Sequence, residues 1–371
     1  MQIAILGAGM VGRAMAIDLA SHYSVTSFDV SSASLEILSQ KNKSVKTVKA
    51  DLSDYENYKS LLTDFDFVIS AVPGFMGYKT LEAIIKTQKN VADISFFPED
   101  ALLLDVLAKK NNVTAIVDCG VAPGMSNLIL GYNNERMKIT SFECLVGGLP
   151  KKRTKPFEYK APFSPIDVLE EYTRPARYIE NGCLVTKPAL SDAELIDFEK
   201  VGTLESFNTD GLRSILFTMK HIGNMKEKTL RYPGHIDLIK GLIKAGFLNS
   251  TSVNFKGQRI SPLEFTSALL FDQWKLGPTE AEFTLMTIKI TSVEKTILYE
   301  LYDEYDAQSQ TSSMSRTTGY TCTAALNLLI KNLFTEKGVF PPELVGKDET
   351  CFNFIVNYLK ERNVIYTKKE Y

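Results

Sequence analysis

The chain has few of the side chains that most often carry metal and thiol chemistry. Its 371 residues include three histidines (His22, His221 and His235), five cysteines and one tryptophan. Cys119, Cys144, Cys183, Cys322 and Cys351 are odd in number, widely spaced and form no C-x-x-C pair. Neither a disulfide framework nor a zinc site is indicated, and no metal is expected. An excess of one charge is also missing: 42 Lys and Arg stand against 44 Asp and Glu, for a net charge of -2. Without a basic block, binding to nucleic acid or to a membrane surface is not expected. No apolar run approaches the roughly 18 residues that would span a bilayer. The first residues, Met1-Gln2-Ile3-Ala4-Ile5, lack the basic start of a secretory signal, so the expected location is cytoplasmic. What remains is an ordinary globular composition, 44% apolar and 23% charged, on a chain long enough for two or three domains. Composition says nothing about activity.

Order along the chain says more. Short apolar segments at residues 3–6, 25–28, 46–49, 67–72, 90–93 and 114–117 alternate with helical stretches at 10–21, 34–39, 80–87 and 102–110. That alternation predicts an α/β domain, a doubly wound parallel sheet of the Rossmann type. After Gly120 the texture changes to long strand-like stretches at 140–147, 178–186, 195–207, 282–292 and 294–302, with helices predicted at 164–172, 212–220, 234–245 and 262–271. These predict a second α+β domain on a largely antiparallel sheet. Residues 315–333 and 349–361 again read as helices, and they are expected to return to the first domain. The domain reading is 1–122 plus 312–371 for the nucleotide and 123–311 for substrate and dimer contacts.

The nucleotide site is written in Gly7-Ala8-Gly9-Met10-Val11-Gly12, a G-x-G-x-x-G between the first strand and a helix. Gly7 serves the tight turn, Gly9 the close approach of a pyrophosphate, and Gly12 the packing of helix on strand. Met10 and Val11 open the helix whose free N–H groups face the phosphates. Asp29 ends the second strand, where a carboxylate accepts from ribose hydroxyls and repels a 2'-phosphate, and the following Val30-Ser31-Ser32 supply no arginine. NAD is therefore expected over NADP. Asp51, after the third strand, would lie beside the adenine or cap the next helix. Ala71, Val72 and Pro73 leave the fourth strand beside the cofactor.

Two further segments, Asp93 to Glu99 and Asp118 to Asn127, leave the carboxyl ends of strands five and six, the edge at which open α/β sheets bind ligands. With the blocks Val72-Pro73-Gly74-Phe75, Val146-Gly147-Gly148-Leu149-Pro150, Glu171-Tyr172-Thr173-Arg174-Pro175-Ala176-Arg177, Thr209-Asp210-Gly211-Leu212-Arg213-Ser214, Thr229-Leu230-Arg231-Tyr232-Pro233-Gly234-His235 and Ser313-Met314-Ser315-Arg316-Thr317-Thr318-Gly319, the sequence resembles the saccharopine dehydrogenase family over nearly its whole length, and most closely its lysine 6-dehydrogenase type. The resemblance implies a homodimeric enzyme that uses NAD to deaminate the lysine side chain oxidatively. The chain is short for the extra helical insertion that saccharopine-forming members carry.

An amine whose ordinary pKa is about 10.4 must lose a proton before hydride leaves. Its carboxylate calls for an arginine fork, and hydrolysis of the imine calls for a general base. Arg174, Arg213 and Arg231 are the candidate carboxylate clamps, each with a structural salt bridge as the alternative. Asp118 is the candidate acid for ammonium binding or base work, His235 a candidate general base, and Asp210 an ammonium ligand or a helix cap. Cys119 reads as small and buried. Saccharopine oxidation, another opine-type imine reduction, and a non-catalytic NAD-binding sensor are the competing functions.

Overall fold

The computed structural model describes all of residues 1–371. The six expected strands of the first domain are β1 (Gln2–Leu6), β2 (Ser24–Asp29), β3 (Lys46–Lys49), β4 (Phe67–Ser70), β5 (Asn90–Asp93) and β6 (Thr114–Ile116). All are parallel, in the order β6-β5-β4-β1-β2-β3. Helices cover both faces, so the central strand buries Ile3, Ala4, Ile5 and Leu6 completely, and it reads as a continuous apolar run rather than an alternating one. The order reverses between β1 and β4, which opens a crevice at their carboxyl ends.

The second domain contributes β7 (Ile139–Pro150), β8 (Ala176–Glu180), β9 (Cys183–Lys187), β10 (Glu194–Phe198), β11 (Gly202–Asn208), β12 (Asn224–Arg231), the small hairpin of β13 (Val253–Phe255) and β14 (Gln258–Ile260), β15 (Glu282–Ser292) and β16 (Thr296–Glu304). Its large sheet runs β10-β11-β12-β7-β15-β16. The sheet is mixed, not simply antiparallel, because β12 lies parallel to β7 in the middle of it. Two predicted strands are hairpins. Residues 178–186 fold back at Asn181 (φ 50°) and Gly182 (φ 77°), the positive-φ pair that a tight hairpin turn demands, and 195–207 divides into β10 and β11. The predicted helix at 212–220 shrinks to Ile215–Thr218, because Arg213 takes a left-handed φ of 53° on its way to Asp118.

The end of the chain divides between the two domains. Helix Ser313–Ile330 packs on helix Met10–Ala20, and Asp18 on that first helix receives bonds from Thr323 Oγ1 (2.6 Å), the Tyr358 hydroxyl (2.6 Å) and Arg362 Nε (2.7 Å). Strand β17 (Gly338–Phe340) adds a seventh parallel strand beside β6. The last strand, β18 (Tyr366–Glu370), instead pairs antiparallel with β16 at the edge of the mixed sheet. The expected boundary at 312–371 is corrected accordingly: the tail serves the first domain through its helices and β17, then crosses to the second.

Candidate active site

A cavity of about 760 Å³ lies between the carboxyl ends of the parallel strands and one face of the mixed sheet. Its first end is built by the glycine turn. Gly7 has φ 117°, and a side chain there would meet the Ala71 carbonyl at 2.5 Å, while one on Gly12 would stand 2.1 Å from the Gly7 carbonyl. A Cβ on Gly9 would touch nothing within 4 Å, so that backbone faces open space. The first intrahelical bond runs from Arg13 N to Gly9 O, leaving the N–H groups of Met10, Val11 and Gly12 without intrahelical acceptors. Open space, free N–H groups and a positive helix end fit the pyrophosphate of a dinucleotide.

Asp29 turns its carboxylate inward: Oδ2 accepts from Ala8 N at 2.7 Å and Oδ1 from Ser31 N at 2.7 Å. It thereby braces the glycine turn while lining the cavity. Asp51 also lines it; its Oδ1 accepts from Ser53 N at 2.8 Å and from the Ser53 hydroxyl at 2.6 Å, which closes a turn and caps no helix, since the next helix, Tyr55–Asn57, has Asp54 as its N-cap. Ala71, Val72 and Pro73 complete this end.

Helix Pro165–Thr173 and strand β12 build the reacting end. Asp167, Glu170, Glu171 and Arg174 fall at i, i+3, i+4 and i+7 and line the cavity, while Val168, Leu169 and Tyr172 turn to the core. On β12 the alternate residues Glu227, Thr229 and Arg231 line the opposite wall. Asp118 and Asp210 close the floor, and Phe96 lies between Arg174 and Arg213, each guanidinium about 5 Å from its ring (5.0 and 4.9 Å).

Most of these charges are already paired. Arg213 donates Nη2 to Asp118 Oδ1 at 2.9 Å, Nε to Oδ2 at 3.4 Å, and Nη1 to the Phe97 carbonyl. Both partners of that ion pair are 5% exposed. Arg177 grips Asp210 through Nε and Nη2, each at 2.8 Å. Arg231 gives Nη2 to Glu171 at 2.7 Å, Nε to the Tyr172 hydroxyl at 2.9 Å and Nη1 to the Leu230 carbonyl at 3.0 Å. Arg174 pairs with Glu170 through Nη2, and its buried Nη1 has no partner. Asp167 accepts from Gly74 N at 3.3 Å across the domain junction, and burial raises its pKa to about 6. Burial also raises Glu171 and carries Glu227 up to about 8, the latter helped by the negative charges of Glu171, Asp210 and Asp118. Below the cavity, burial holds the Asp93 carboxyl near 7 against the bonds it accepts from Ser95 and Ser70.

The structure sorts the expected residues. All ten nucleotide candidates, together with Asp118, Arg174, Asp210 and Arg231, line one cavity. Arg213 does not: it is committed to Asp118 and Phe97 and is no free clamp. His235 does not either. Its Nδ1 bonds the Phe157 carbonyl at 2.8 Å and its Nε2 the Tyr172 hydroxyl at 2.9 Å, and burial, then the charge of Arg231, lowers its pKa to about 3. A neutral imidazole walled in by Tyr159, Tyr172 and Trp274 cannot reach a substrate, so it supports Tyr172 and is not the general base. Asp210 caps no helix, since Arg177 holds it. The reading missed Glu227, Thr229 and Asp167. The acidic spacing on the helix was the available signal for Asp167, whereas Glu227 offered none.

Comparison with known proteins finds a match for both parts of the chain. Residues 3–116 match the saccharopine dehydrogenase NADP binding domain, and residues 120–365 match the saccharopine dehydrogenase C-terminal domain. The chain belongs to the saccharopine dehydrogenase family. Within that family it is 26% identical to the alpha-aminoadipic semialdehyde synthase of Arabidopsis thaliana, over 58% of this chain but 22% of that protein. The chain thus matches about a quarter of the length of the synthases of this type (22% and 26% for two of them). It is 21% identical to the carboxyaminopropylagmatine dehydrogenase of a Synechocystis species, over 94% of this chain and 93% of that one. The family fold is shared with apo saccharopine dehydrogenase (L-Glu forming) of Saccharomyces cerevisiae, at a TM-score of 0.80 and 20% identity over 100% of this chain and 99% of that one.

Proposed function

We propose that this protein is an NAD-dependent amine dehydrogenase that oxidises the side-chain amine of L-lysine, releasing ammonia and 2-aminoadipate 6-semialdehyde, whose α-amine closes on the aldehyde to give a cyclic imine. The observation that carries this reading is the charge of the reacting end. Six carboxyl groups, Asp118, Asp167, Glu170, Glu171, Asp210 and Glu227, line it; Arg213, Arg174, Arg231 and Arg177 pair with four of them, which leaves Asp167 and Glu227 without a cation. Such a wall suits a substrate with more ammonium than carboxylate. Lysine has two ammonium groups and one carboxylate. Saccharopine has three carboxylates and would face a surplus of like charge.

The dinucleotide, when bound, supplies the hydride acceptor. The chain's residues do the rest. Gly7, Gly9 and Gly12 with the N–H groups of Met10 and Val11 hold its phosphates, and Asp29 receives the ribose. No lysine or arginine lines that end of the cavity; Arg13, close enough to feel the Asp29 charge, turns Nη1 to the Ala8 carbonyl at 3.0 Å, so the carboxylate that a 2'-phosphate would meet supports NAD, although the family's nucleotide domain and the yeast relatives are named for NADP. Arg174 offers its unpartnered Nη1 to the substrate carboxylate, and the acidic wall holds the ammonium groups. The apolar residues Phe75, Val72, Phe96, Phe163 and Met314 give the aliphatic chain a dry surface.

A second reading keeps the same acid-rich site and replaces lysine with a carboxyalkylated amine. It is favoured by the match to the agmatine-derivative dehydrogenase along nearly its full length. Incubation of purified protein with NAD and lysine is expected to produce NADH, read as absorbance. Turnover of saccharopine or a carboxyalkylated agmatine with lysine inert would overturn the lysine reading. NADP is expected to be the poorer cofactor, and Asp29→Ser to raise its relative kcat/KM by at least about tenfold through removal of a like charge. Equal use of both cofactors by the unaltered protein would remove the argument from Asp29.

A further inference from the structure

Among the six carboxyls of the reacting end, one is unlike the rest. Asp118 is held by Arg213, Asp210 by Arg177, Glu171 by Arg231, Glu170 by Arg174, and Asp167 by the Gly74 N–H. Glu227 has neither a cation nor a hydrogen bond in the structure, although its residue is only 6% exposed and it lines the cavity. A buried carboxyl without a partner costs free energy unless a ligand completes it. Its position is built and not incidental. Glu227 comes from the central strand β12, paired on one side with β7 and on the other with β11, and its carboxylate occupies the space where a side chain on Gly211 would stand (1.6 Å).

We propose that Glu227 is the proton-transfer residue of this site, accepting the proton that the substrate ammonium must lose before its carbon can give up hydride. The proposal rests on the amine-dehydrogenase reading above. In the step, the N–H bond of the ammonium breaks and its proton moves to the Glu227 carboxylate. The nitrogen lone pair so freed forms the C=N bond as the adjacent C–H electron pair departs with hydrogen to the oxidised nicotinamide cofactor. The products are a protonated imine and a neutral Glu227, which then returns its proton to water.

The surroundings suit the task. Glu171 faces Glu227 from helix Pro165–Thr173, Asp210 and Arg213 from the loop after β11, Asp118 from the loop after β6, and Cys144 from the paired position on β7. Burial and the three carboxylates raise Glu227 to about 8, and Arg213 opposes them. A carboxyl poised there is neutral in the free protein at pH 7, and it ionises when an ammonium arrives.

That exchange can be read without turnover. Calorimetric titration of L-lysine into cofactor-free protein, in two buffers of different ionisation enthalpy, counts the protons exchanged. The expected result is release of about one proton per lysine at pH 7, fading above pH 9, with that release abolished in Glu227→Gln. In the full reaction kcat/KM should rise about tenfold per pH unit up to the Glu227 pKa, and Glu227→Gln should lower kcat by about 100-fold or more with loss of that limb. Glu227→Asp should restore the limb in part, and Gly211→Ala, which displaces the carboxylate, should mimic the glutamine variant. Retention of NAD affinity and of the thermal midpoint excludes misfolding. If the unaltered protein turns lysine over and Glu227→Gln keeps both the proton release and the limb, the proposal falls while the lysine reading stands. If the unaltered protein neither binds lysine nor turns it over, the lysine reading fails and takes this assignment with it.

Discussion

At the scale of single residues, the arginines divide by how many hydrogen bonds each already makes. Arg231 gives its three guanidinium nitrogens to Glu171, Tyr172 and the Leu230 carbonyl, whereas Arg174 keeps Nη1 free. Arg174→Ala is therefore expected to raise KM for the amino-acid substrate by about 10- to 100-fold, the worth of a charged hydrogen bond, with a smaller effect on kcat in steady-state assays. Arg213 plays a different part. It is the counter-ion of a buried carboxylate, so Arg213→Ala leaves Asp118 uncompensated and is expected to cost about 3–5 kcal/mol in denaturant unfolding. Sequence alone ranked the three equally, since an arginine's partner is a fact of contact and not of spacing. His235 teaches the same lesson. Its position after Pro233-Gly234 was compatible with a base, but three aromatic rings and a tyrosine hydroxyl enclose it.

At the scale of elements, the glycine turn was fully legible, because each glycine answers a local steric demand that its position beside strand and helix already implies. Gly12→Ala is expected to push the helix off the turn, destabilising the protein by about 1–3 kcal/mol and weakening NAD binding more than tenfold, both measurable by denaturation and fluorescence titration. Strand β12 was not legible. Its sequence Asn-Met-Lys-Glu-Lys-Thr-Leu-Arg carries charges on both faces: Lys228 pairs with Glu194 on one side, and Glu227 and Arg231 line the cavity on the other. Period-two hydrophobicity vanishes when a strand's inner face is an active-site wall. The short strands β17 and β18 were missed because three to five residues carry too little pattern.

For the whole molecule, several buried groups titrate in the same direction. Burial raises Glu227 and Glu282 to about 8 and Asp93 to about 7, above the ordinary carboxyl range they regain on unfolding. The folded state then binds more protons than the unfolded one up to about pH 8, so these groups make stability fall as pH rises through that window. His235 opposes them: its folded value near 3 makes stability rise with pH until about 6.5, its ordinary value. The opposition ends there. The thermal midpoint is expected to decline between about pH 6.5 and 8.5, and Glu282→Gln, whose carboxyl oxygens lack partners, to flatten the decline. A midpoint that climbs across this range would contradict the assignment of neutral buried carboxyls.

By itself the sequence determined the parallel sheet and the position of the nucleotide turn, because each follows from local periodicity or glycine sterics; the return of the C-terminal helices is an expectation that the family resemblance implies. Only tertiary structure decided which charges are spent and which are free. That choice depends on partners that meet across the domain junction: Asp118 with Arg213, Arg177 with Asp210, and Glu227 left alone among them. The shortage of histidine and thiol noted at the outset thus acquires a counterpart, a cavity lined by carboxyl groups, three of which burial raises above their ordinary range.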